Sequence, residues 1–88
     1  MNKNIKFSEG KINSLGKYIQ TELISEMSSN PEMMIRNNKL IVLMSRAANN
    51  GLNGKKIQIN KPFSNDKMLH NNIVTFFEQY NITVDKKY

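Results

Sequence analysis

Apolar side chains recur at spacings of three and four over residues 8 to 28, where Ile12, Leu15, Ile19, Leu23 and Met27 share one face that Tyr18 and Ile24 widen. This spacing predicts a first helix, with Ser8 as its cap. Gly10 and Gly16 each weaken it by up to about 1 kcal/mol relative to Ala. Ser28-Ser29-Asn30-Pro31 ends that helix and opens the next, because Asn30 can accept from free amides and Pro31 suits the first helical position.

From Glu32 to Asn50 the pattern again favours a helix, closed by Asn49-Asn50-Gly51 in left-handed backbone. Met33, Leu40, Ile41, Met44, Ala47 and Ala48 fall on one arc, and Val42 and Leu43 lie outside it, as in a helix covered on more than one side. Asn37 interrupts the apolar arc and needs a hydrogen-bond partner if buried. The competing arrangement is a hairpin, with strands Met33 to Arg36 and Lys39 to Met44 joined by an Asn37-Asn38 turn.

Asn53-Gly54 marks a tight turn before the alternating Lys55-Lys56-Ile57-Gln58-Ile59-Asn60, an edge strand that Pro62 closes. Ser64 then caps a third helix reaching about Tyr80, with Phe63 and Met68 as its hydrophobic staple and Leu69, Ile73, Phe76, Phe77 and Tyr80 as its buried stripe. Asn81 stops it, Ile82-Thr83-Val84 forms a last strand, and the final Lys86-Lys87-Tyr88 frays. The expected fold is therefore α+β and predominantly helical: three helices with a minor two-stranded β element, in a single small domain spanning residues 1–88.

Charge adds a location to this outline. Thirteen Lys and Arg face seven Asp and Glu, a formal +6. Residues 31 to 60 hold +4 of it, against +1 in residues 1 to 30 and +1 in residues 61 to 88. Arg36, Lys39 and Arg46 share a stripe of the second helix, and Lys55 and Lys56 open the strand that follows, an arrangement able to lie along phosphates. The bland account has equal weight: eleven of the thirteen cations are Lys, and abundant Lys, Asn and Ile is what AT-rich coding produces.

Other chemistry finds little support. The absence of Cys rules out disulfides, thiolate zinc ligation and a cysteine nucleophile, and directs the expectation to a cytoplasmic setting. One His and scattered carboxylates give no metal-ligand spacing, and Glu22 and Glu26, four residues apart, read as a solvated pair. Gly51-Leu52-Asn53-Gly54 precedes a strand and is a turn, not a phosphate cradle. His70 lies off the stripe of its helix and reads as a surface imidazole; the six Met and the Phe76-Phe77-Tyr80 cluster read as core filling. No secretory signal and no apolar run of about 18 residues is visible, so no membrane partner is expected.

The sequence thus points to a non-enzymatic basic binding module, with no cofactor, no metal and no evident small-molecule substrate. Arg36, Lys39, Arg46, Lys55 and Lys56 would contact nucleic acid or an anionic groove of a nucleic-acid-handling protein. The alternative is a small phage- or plasmid-type inhibitor or adaptor that blocks a host defence enzyme by occupancy. An enzyme whose site forms at a homodimer interface ranks third.

Overall fold

The computed structural model describes the backbone of residues 8–88 and the side chains of residues 14–88. The expected cap at Ser8 and the core role of Ile12 lie outside the described side chains. Among these residues three helices, α1 (Ser8–Met27), α2 (Pro31–Ala48) and α3 (Lys67–Gln79), combine with two short strands, β1 (Lys56–Ile59) and β2 (Thr83–Lys86). The fold is the predominantly helical α+β arrangement that the hydrophobic pattern predicts.

The two strands pair in parallel, Lys56 opposite Thr83 and Ile59 opposite Lys86. Parallel neighbours cannot be joined by a tight turn, and here α3 is the crossover, so β1, α3 and β2 form one β-α-β unit. Ile57, Ile59 and Val84 pack toward the core while Lys56 and Gln58 are exposed. The turn before β1 is tied to the end of α3: Gly54, at φ +75, donates its amide to the Asn81 carbonyl at 3.0 Å, and the Thr83 amide donates to Lys55 at 3.1 Å.

Helix α1 packs against both α2 and α3. Ile19 and Leu23 are fully buried there, beside Leu40, Met44 and Ala47 of α2 and Leu69, Ile73, Phe76 and Phe77 of α3. At Gly16 a Cβ would stand 3.4 Å from the Phe76 ring, a measure of how closely the two helices approach. The helix covered on more than one side is therefore α1, not α2. Val42 is exposed and Leu43 only half-buried, because α2 buries one narrow line, Met33, Asn37, Leu40, Met44 and Ala47. Tyr18 and Ile24, placed on the apolar arc of α1 by their spacing, are exposed as well.

The ends of α2 and α3 follow from local chemistry. The Asn30 side chain accepts from the amides of Glu32 and Met33 at 3.0 and 3.2 Å, and Pro31 occupies the first turn. This single helix excludes the hairpin through Asn37-Asn38. At its other end Asn50 adopts φ +63, its amide donates to Ala47 and that of Gly51 to Arg46, which is a Schellman closure. The same closure ends α3: Asn81 at φ +63 donates to Glu78, and Ile82, the C″ residue, donates to Phe77, both side chains being buried in the core.

At the start of α3 the expected cap moves. Asp66, not Ser64, accepts from the amides of Met68 and Leu69, at 2.9 and 3.3 Å. The helix begins later than the pattern suggests, so Met68 points to solvent and forms no staple with Phe63. The Phe63 ring instead meets His70 and Phe77, both at 5.6 Å between centroids.

Candidate anionic-partner interface

Helix α2 and the segment that follows it carry the candidate cations. Lys39 and Arg46 are exposed, and among the described residues neither has a hydrogen-bonding or ionic side-chain partner. They stand seven residues apart on nearly the same bearing, about 10 Å along the axis. Lys55 and Lys56 are exposed, Lys55 just before β1 and Lys56 as its first residue.

Arg36 behaves differently from these four. It is half-buried, donating from one guanidinium nitrogen to the Pro62 carbonyl at 2.6 Å and from the other to the Met33 sulfur at 3.5 Å. Its bonding anchors a loop, whereas Lys39 and Arg46 are left facing water.

That loop is held by one polar side chain from each helix. Arg36 of α2 binds the Pro62 carbonyl, His70 of α3 accepts from the Phe63 amide through Nδ1 at 3.1 Å, and Glu26 of α1 accepts from the Ser64 hydroxyl at 2.7 Å. Ser64 Oγ in turn accepts from the Asp66 amide at 3.0 Å. The surface role expected for His70 is thus overturned: the ring is only 9% exposed, because it packs on Phe63 and satisfies a buried amide. A ring that accepts at Nδ1 carries its proton on Nε2, which lies 3.4 Å from the Tyr88 hydroxyl. Burial, and secondarily the charge of Lys86, holds its pKa below the usual imidazole value. Glu26 is likewise engaged with Ser64 rather than forming a solvated pair with Glu22.

Three of the six acids with described side chains, Glu26, Asp66 and Asp85, have such internal duties, while Glu22 and Glu78 have no bonding partner among the described residues. Glu26 holds Ser64, Asp66 caps α3, Asp85 pairs with Lys87 at 3.2 Å, and Glu32 sits in the first turn of α2. Residues 33 to 65 contain no Asp or Glu but six cations: Arg36, Lys39, Arg46, Lys55, Lys56 and Lys61. A long acid-free run leaves its exposed cations without local neutralisation.

Two further residues share the bearing of Lys39 and Arg46. Ile35 is 62% and Val42 57% exposed, and at 100° per residue Ile35, Lys39, Val42 and Arg46 fall within about 60° of arc. The wheel that placed the cations also holds these two apolar residues, but only the packing of α2 on one neighbour reveals them as uncovered.

Elsewhere the surface offers less. A shallow groove of about 300 Å³ opens where Gly16 lacks a side chain, lined by Lys17 and Gln20 of α1, Met44 and Ala48 of α2, and Phe76 and Tyr80. No acid, His or hydroxyl nucleophile other than the Tyr80 phenol lines it. Among the described residues no cluster of three His, Asp or Glu stands together as metal ligands would, and no helix is long and apolar enough to cross a membrane. Comparison with protein-family models, curated proteins and solved structures found no match.

Proposed function

We propose that this chain is a non-enzymatic binding module for an anionic macromolecule, either nucleic acid or an anionic groove of a nucleic-acid-handling protein. Lys39, Arg46, Lys55 and Lys56 make the contact, and Arg36 shapes the neighbouring loop. The observation that supports this reading is that these four cations face solvent without an acid partner among the described residues, within a stretch, residues 33 to 65, that contains no Asp or Glu. Such charges attract polyanions over a Debye length and gain from counterion release.

The test is fluorescence anisotropy with a labelled DNA duplex of roughly 20 base pairs and, separately, labelled polyglutamate. If four phosphates are contacted, raising salt from about 50 to about 200 mM should weaken duplex binding about a hundredfold. Replacing Lys39, Arg46, Lys55 and Lys56 together with Glu should abolish binding of either polymer. If the protein binds neither at the lower salt, this reading is wrong.

A second reading, an inhibitor or adaptor that blocks an enzyme by occupying its surface, is favoured by one observation. Ile35 and Val42 stand exposed among the cations of α2, where a phosphate backbone has no use for them.

A further inference from the structure

We infer that the outer stripe of α2, formed by Ile35, Lys39, Val42 and Arg46, is a docking site for an acidic amphipathic helix of a partner protein. The inference rests on the anionic-partner reading above and narrows it to one class. The four residues follow one another at i, i+4, i+7 and i+11, the spacing at which one helix meets another along about three turns. Apolar and cationic side chains alternate along the line.

Each half of that alternation specifies something about the occupant. Ile35 and Val42 gain only when apolar surface covers them, so the partner presents a complementary apolar ridge. Lys39 and Arg46 lack acid partners among the described residues, so carboxylates beside that ridge complete them, Arg46 in a bidentate fork. Asn38, Ser45 and Asn49 border the stripe on one side, uncharged and exposed; half-buried Leu43 borders it on the other, with Glu32 beside its first turn. A duplex would supply phosphates but nothing for Ile35 and Val42. A second copy of this chain would bring two more cations to the contact, with Glu32 as its nearest acid on the helix.

The experiment uses a labelled, helical synthetic peptide of roughly 20 residues with Leu along one stripe and Glu on both flanks, a twin with every Glu replaced by Gln, and a DNA duplex. The acidic peptide should bind, with at least tenfold weaker binding for its Gln twin, for the Lys39→Glu/Arg46→Glu protein and for the Ile35→Ala/Val42→Ala protein. Val42→Thr, which keeps shape and branching, should weaken binding in the same direction, and Lys17→Glu on α1 should change it less than twofold. Circular dichroism checks that each variant folds. If the duplex binds and the acidic peptide does not, the inference fails and the broader anionic-partner reading survives. If neither binds, both fail. Peptide binding indifferent to Ile35 and Val42 overturns the inference, as does a dimer of the protein in sedimentation that Val42→Arg dissociates.

Discussion

Asn37 is 1% exposed, and among the described residues neither its amide nitrogen nor its oxygen has a hydrogen-bond partner. A buried amide left in that state costs about 1–3 kcal/mol, a local burden on the line of α2 that packs against α1. Asn37→Leu keeps the branching at Cγ and removes both orphaned groups. It should stabilise the fold by about 1–2 kcal/mol, raising the melting temperature by about 4–8 °C for each kcal/mol. Calorimetry or a denaturant titration measures this, and a loss of stability would mean that Asn37 has a partner in solution.

His70 carries the pH dependence at the same scale. Burial and Lys86 set its folded pKa below the value of 6.5 that it takes when unfolded. The unfolded chain therefore binds the proton first as pH falls, and protonation also removes the Nδ1 lone pair that holds the Phe63 amide. The stability owed to the neutral ring is fully present above pH 6.5 and is lost as pH drops through the folded value. Urea titrations from pH 7.5 down to 5 should show this loss, and His70→Gln should flatten the curve over that interval.

At the scale of the element, each helix end has its own chemistry, and much of it was legible from composition alone. Asn30-Pro31, Asn50-Gly51 and Asn81 each act where the sequence pattern places them, because the caps depend on residues within one turn. Asp66→Ala and Asn30→Ala should each cost about 1 kcal/mol, whereas Ser64→Ala should act through the lost bonds to Glu26 and to the Asp66 amide, leaving the Met68 and Leu69 amides capped. Thermal melts, with amide exchange at Met68 and Leu69 as the local readout, separate the two effects. What the sequence could not disclose is decided at a distance. The bonds from Arg36 to Pro62 and from Glu26 to Ser64 join residues 26 and 38 positions apart. No local period marks such pairs, so Arg36 reads as a free cation and His70 as solvated. The parallel pairing of β1 and β2 was equally hidden, since both strands are four residues long and alternation carries no direction.

For the molecule as a whole, the charge of +6 matters less than where its counter-charges went. The basic stripe along α2 was visible as a periodicity at Arg36, Lys39 and Arg46, but the structure divides it. Arg36 turns to the Pro62 carbonyl, and Lys39 and Arg46 stay in water beside Ile35 and Val42. The outer face of α2 therefore combines field and grease, whereas the sequence alone suggested only field.

The β-α-β unit has a further consequence. Among the described residues the ribbon has two strands, so each strand pairs on one side only and has an outer rim. Bare rims of this kind recruit stray extended chains. Here β1 begins with Lys56 and β2 ends with Lys86, both exposed, so an incoming rim of the same protein meets like charge before it can zip. Charged residues at strand ends oppose edge-to-edge pairing of copies, an effect independent of any partner.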